Sequence, residues 1–295
     1  MIASPECRLA QSYEEGLERA RAVMARDGGV ILPAARTALL DHGRRTDLAV
    51  VLLHGYTNSP AQYAEFAPML FERGPNVLVP RMPEHGDRNR LTDRIAGLTA
   101  AALLQCVGEA LDIASGLGER VGVLGISMGA ILAAYVAQYR PVAIAVPVAP
   151  DFALLDLPYP ISRLVAGVLA ALPNFFLWWD PRERAHHRPL TAYPRFSTRA
   201  LAQTLRISDD VYAAARRQPP CAARIVTIVN RCDPAVNNEV TREVTTQWRG
   251  WNPPAVEYVE LRRLPENHDI VDPQNPLART ELVYPRLLRA LGVAE

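Results

Sequence analysis

The sequence lacks any long run of charge of one sign. Its 32 Lys and Arg nearly balance 31 Asp and Glu, for a net charge of +1. That leaves only a weak electrostatic case for binding nucleic acid or an anionic surface. Cysteine is scarce: Cys7, Cys106, Cys221 and Cys232 have no CxxC or other metal-ligand spacing. They read as free thiols of a cytoplasmic protein, with no metal site. The first 24 residues have no basic stretch followed by an apolar core, so they do not read as a secretory signal. From Tyr13 to Met24 they read as a charged amphipathic helix. There is no internal repeat and no low-complexity tract. The strongly apolar stretch Ile161–Trp179 is interrupted by Arg163, Pro173 and Asn174, and its clean run is too short to span a bilayer.

What is present is core. A chain of 295 residues, 49% of them hydrophobic, can bury a large interior as one domain or one domain with an insertion. Apolar runs alternate with helical patterns. Strands are expected at Asp47–Gly55, in Asn76–Gly86 (a strand and the loop after it), and at Arg120–Gly125, Pro141–Pro150, Ala223–Asn230 and Ala255–Leu264. Helices are expected at Ser59–Gly74, Leu91–Leu117, Ser127–Tyr139, Ala235–Trp248 and Pro276–Leu291. The strand runs are continuous rather than alternating, as in strands covered on both faces, so the sheet should be mostly parallel. RTALLDHGRR could add an antiparallel edge hairpin. From 151 to 220 the rhythm breaks, and helical patterns and prolines replace strands. The expected organisation is an extension at 1–46, an α/β core at 47–150 and 221–295, and a helical insertion at 151–220.

The stretch GISMG puts Ser127 between Gly125 and Gly129, where a strand runs into a helix. G-x-S-x-G in that setting is the pattern of a nucleophile elbow, a strained turn that exposes the hydroxyl at the top of a sheet. A serine needs a base, and the base needs an orienting acid. His268 follows the last strand, at the end of the sheet where sites gather. His54 and His85 read as structural, His186 and His187 as a solvated loop, and His42 lies before the core. Asp233 follows the fifth strand and gives the order Ser127, Asp233, His268. Asp151, after the fourth strand, is the rival acid or else a helix cap. The oxyanion donors should be the amides of Met128 and of Tyr56 in the loop HGYTNSP.

HGYTNSPAQY, RMPEHG, GISMGA, the aspartate of RCDPAVN and the histidine of ENHDIV together resemble the α/β-hydrolase superfamily, in its bacterial carboxylesterase and monoacylglycerol-lipase-like group. The resemblance spans about Ala49 to the C-terminus. It implies an α/β-hydrolase fold with a helical cap, Ser127 as nucleophile, His268 as base, Asp233 as acid, and Tyr56 and Met128 as oxyanion donors. Asn267 stands where these enzymes often carry glycine or serine, and the insertion is unusually apolar.

No cofactor is required by such a reaction. The expected substrate is a small ester or lipid-like molecule with an apolar acyl group. Leu164, Val168, Phe175, Phe176 and Trp178 are candidates to line its pocket, or to touch a lipid interface transiently. The insertion's arginines, Arg182, Arg184, Arg188, Arg195 and Arg199, could bind an acidic substrate but read better as a solvated face. A thioesterase or acyltransferase could use the same triad, and a non-catalytic binding protein is the competing class. A dinucleotide-binding oxidoreductase is disfavoured, because no G-x-G-x-x-G follows a first strand.

Overall fold

A computed structural model describes residues 7–153, 157–184 and 187–293. Seven strands form one sheet: β1 (Ala38–Leu40), β2 (Thr46–Leu53), β3 (Asn76–Val79), β4 (Gly118–Ile126), β5 (Ile144–Val148), β8 (Ile225–Asn230) and β9 (Val256–Leu261). Their spatial order is β1-β3-β2-β4-β5-β8-β9. All neighbours are parallel except β1 against β3. The expected edge element is therefore a lone antiparallel strand and not a hairpin, since β1 pairs with β3 rather than with the adjacent β2.

The continuous apolar runs split residue by residue between two cores. In β2, Ala49, Val51 and Leu53 join the core under α3 (Ala100–Leu117), α4 (Met128–Tyr139) and α7 (Asn238–Trp251). Leu48, Val50 and Leu52 join the other, under α2 (Phe66–Phe71) and α8 (Thr280–Ala290). α1 (Tyr13–Ala25) packs on α3. By length and composition α3 could cross a membrane, but 67% of it is buried within the protein.

Helix starts differ from the sequence expectation where side chains cap them. Thr99 accepts from Ala102 N and starts α3 at Ala100. The stretch from Leu91 is instead turned by Asn89 and Thr92, whose side chains take backbone amides. Asn237 accepts from the amides of Glu239 and Val240 and delays α7 to Asn238. The expected helix at Ser59–Gly74 divides into a 3-10 turn, Pro60–Tyr63, and α2.

Between β5 and β8 lie α5 (Tyr159–Ala171), β6 (Phe176–Trp178), β7 (Arg195–Ser197) and α6 (Thr198–Ala215). This segment is not purely helical, because β6 and β7 pair antiparallel. Asp151 is not a cap: α5 begins after Pro158. Hydrogen bonds fasten the segment to the loop after β2. Ser197 N donates to Tyr56 Oη at 3.1 Å. Tyr56 Oη donates to Ser197 O at 2.8 Å, Trp179 Nε1 donates to Thr57 Oγ1 at 2.8 Å, and Tyr193 N donates to Thr57 O at 2.9 Å.

β4 can meet α4 only through glycine. A Cβ on Gly125 would lie 2.0 Å from Gly129 O, and one on Gly129 would lie 2.0 Å from Leu53 O. Gly129→Ala should therefore lower stability by ~3 kcal/mol or more, since backbone cannot yield as a side chain does. Gly167→Ala meets open space on α5 and should stabilise by up to about 1 kcal/mol. Denaturant titration checks both, and a Gly129→Ala protein as stable as wild type would contradict this packing.

Candidate active site

The C-terminal ends of the parallel strands meet at one cavity. β4 ends at Ile126, and Ser127 then adopts φ 57°, a left-handed conformation strained for a residue with a Cβ. Its amide donates to Val148 O at 3.0 Å, which locks the turn to β5. Ser127 lines a cavity of about 560 Å³ together with His268. Met128 is the first residue of α4, so its N–H has no acceptor within the helix. Its side chain is buried in the core. Gly55 and Tyr56 also line the cavity.

His268 lies beyond β9, and Asp233 beyond β8. His268 Nδ1 and Asp233 Oδ2 are 2.8 Å apart. The other oxygen of Asp233 accepts from Ala235 N at 2.9 Å, which orients a carboxylate with no solvent exposure. Asn230 Nδ2 donates to Pro265 O and Asn267 O, tying β8 to the His268 loop. The Asn267 amide donates to Asp269 O at 2.7 Å, so this residue braces the loop where glycine or serine was expected.

The two early histidines are braces. Met82 N donates to His54 Nε2 and Thr57 N donates to His85 Nε2. Each ring's Nδ1 then donates to a carbonyl, Gly55 O and Pro83 O respectively. Both rings are fully buried and neutral; burial pulls His85 down to about 4. His42 stacks on Phe71 far from this loop. His187 lines the cavity rather than a solvated loop, and His186 lies outside the described residues.

Asp151 also lines the cavity, just after β5, behind Ala149 at a left-handed φ of 47°. Its Oδ1 is buried without a hydrogen-bond partner. Burial lifts this carboxyl to about 6; the His268 charge pulls it down and that of Asp233 pushes it up. Burial opposes charge on His268 as well. The charge and hydrogen bond of Asp233, with the charges of Asp151 and Asp269, outweigh it and raise His268 above its ordinary value.

The expected apolar lining is partly revised. Phe175 lines the cavity with Leu177, Trp179, Leu169, Phe196 and Leu201. Phe176 and Trp178 do not, because β6 is a strand and alternate residues point away from each other. Arg195 lies over the Phe176 ring at 4.2 Å and pairs with Asp93, so it is no free solvated arginine. Arg184 lies over Trp178. Leu164 and Val168 face solvent, with 68% and 48% exposure, because α5 turns Ser162 and Ala166 inward instead. A second cavity, about 440 Å³ beside Arg26, Asp27, Arg81 and Cys106, holds none of Ser127, Asp233 or His268. Among the described residues no group of three or more His, Cys, Asp or Glu is placed to hold a metal ion.

A model of the alpha/beta hydrolase family matches residues 50–276. A search of curated proteins returned no match. Among solved structures, a metagenome-derived lipolytic enzyme superposes with a TM-score of 0.65 at 20% identity, covering 88% of this chain and 98% of the other. A monoacylglycerol lipase from Paleococcus ferrophilus gives 0.60 at 19% identity, covering 86% and 97%. A soluble variant of monoglyceride lipase from Saccharomyces cerevisiae, solved with a substrate analog, gives 0.60 at 13% identity, covering 88% and 92%. At these identities the likeness is one of fold.

The charge arrangement predicts that NMR titration will find the His268 imidazole with a pKa above 6.5. Asp151→Asn removes one of the charges that favour the imidazolium, so it should move that titration to lower pH. An unchanged or higher value in that variant would contradict the electrostatic account.

Proposed function

The chain belongs to the alpha/beta hydrolase family, and from that premise we propose that it is a serine hydrolase of carboxylic esters with an apolar acyl group. One observation carries the reading. Ser127, held at φ 57°, shares a cavity with His268, whose Nδ1 meets Asp233 at 2.8 Å. With Nδ1–H given to Asp233, Nε2 is the lone pair available to take a proton.

The proposed reaction is acyl transfer through the serine. Ser127 Oγ attacks the ester carbonyl while His268 Nε2 takes its proton. The backbone amides of Met128 and Tyr56 hold the oxyanion, and the N-terminus of α4 adds its dipole. The tetrahedral adduct collapses, and His268 gives the proton to the departing alcohol. Water then repeats both steps on the acyl-enzyme and releases the acid. Asp233 stabilises the imidazolium at each turn. No cofactor enters these steps.

The walls of the cavity support this substrate class. Leu169, Phe175, Leu177, Trp179 and Phe196 offer an apolar surface to an acyl chain, beside the polar groups of Ser127 and His268 and those of His187, Arg188 and Thr198. The lipase and monoacylglycerol lipase named among the structural neighbours point the same way. On the far side of α5, Ile161, Leu164, Val168 and Leu172 form an exposed apolar stripe, suited to brief contact with a lipid interface. The four cysteines are unpaired, which supports a reducing, cytoplasmic setting.

Hydrolysis of p-nitrophenyl esters from acetate to palmitate tests the reading. The wild type should prefer medium chains, and Ser127→Ala should lose at least ~1,000-fold in kcat while staying folded. Leu164→Glu should lose rate only on emulsified palmitate. Hydrolysis retained by Ser127→Ala would overturn the assignment. Thioester cleavage without ester cleavage would move the substrate class.

A further inference from the structure

Resting on that reading, we infer that Asp269 and Gln62 form an obligatory acceptor–donor pair that positions the oxyanion loop against the His268 loop, so that both are positioning residues for catalysis. Neither belongs to the Ser127–His268–Asp233 set. Asp269 directly follows the base in the chain, and its oxygens are taken up elsewhere. Its Oδ2 accepts from Gln62 Nε2 at 2.8 Å, across 207 residues of sequence. Gln62 Oε1 in turn accepts from Gly55 N at 2.8 Å. Gly55 immediately precedes Tyr56, the proposed oxyanion donor. A Cβ at Gly55 would lie 3.5 Å from Ser127 Cβ, in ordinary van der Waals contact, so Gly55 is a direct neighbour of the nucleophile.

The direction of each bond is forced. A backbone N–H can only donate, so Gly55 fixes the oxygen end of the Gln62 amide towards itself. The nitrogen end must then face residue 269, which has to present an acceptor. Asp269 is held for that role: its Oδ1 accepts from the amides of Val271 and Asp272 at 3.3 and 3.1 Å. Asn58 adds a parallel tie, donating to Asp272 Oδ2 at 3.1 Å and to Asp269 Oδ2 at 3.3 Å. An asparagine at 269 would keep an oxygen on the two backbone amides and turn its NH₂ onto the NH₂ of Gln62. Two buried donors would then face each other. Gln62→Glu makes the opposite error, acceptor against acceptor. Together, Asp269→Asn and Gln62→Glu reverse the bond between them, retain the acceptor for Gly55 N and keep the net charge, while Asn58 loses its longer contact to residue 269 and keeps Asp272 Oδ2.

The experiment is a double-mutant cycle on the full chain, with thermal unfolding recorded for all four proteins. Each single variant should lose about 10- to 100-fold in kcat with little change in KM, as a small displacement of reacting groups does. The double variant should recover most of that loss. Hydrogen exchange at the Gly55 amide, read by NMR without substrate, should quicken in both singles and slow again in the double. Singles as active and as protected at Gly55 as wild type would overturn the pairing. So would a folded double variant no better than the singles. A wild type that cleaves no ester would sink the proposed function alone, because the Gly55 exchange still decides the pairing.

Discussion

Everything at the candidate site depends on how closely β4, α4 and β2 can approach around one left-handed serine. Strain at φ 57° persists only where its surroundings over-determine it. Here the surroundings are backbone. Gly129 lies against the Leu53 and His54 carbonyls, and Gly125 lies against Gly129. α4 is buried almost throughout, from Met128 to Gln138. Burial on that scale supplies the stabilisation against which a strained residue of ~1–3 kcal/mol can be held. The same contact brings the end of β2, and so the Gly55–Tyr56 loop, beside the serine.

The loop after β2 is braced from three sides. His54 and His85 hold it from the β3 side, Gln62 and Asn58 from the His268 side, and Tyr56, Thr57 and their partners from the β6–β7 side. Preorganised donors stabilise developing charge without having to reorganise when it appears. The segment between β5 and β8 therefore does two jobs with one set of residues. The alternation of β6 sends Phe175, Leu177 and Trp179 into the cavity, and the indole of Trp179 also ties that wall to Thr57.

Much of the core was legible in the sequence. Long Val/Ile/Leu runs can be buried only between two layers of helices, and they marked the parallel strands within a few residues. Ser127, Asp233 and His268 were visible because strand ends in such a sheet converge on one edge, so chain order stood in for proximity. Helix starts were less legible, since single side chains at Thr99 and Asn237 decide them against broad periodicity. The lining of the cavity was misread for a physical reason. Phe175–Trp179 follows a strongly helical pattern, but it pairs with Arg195–Ser197, and period two replaces period 3.6. Gln62 carried no local signal at all: its importance arises from a partner 207 positions away.

The central claim is that Ser127 is a nucleophile activated by His268. Treating the protein with a fluorophosphonate, which traps an activated serine as a stable covalent adduct, tests this most directly, with the site read by peptide mass spectrometry. The account predicts one adduct, on Ser127, formed much more slowly when Asp233→Asn or His268→Ala removes the base's support. A folded protein that stays unlabelled at Ser127, or labels there at the same rate in both variants, would contradict it.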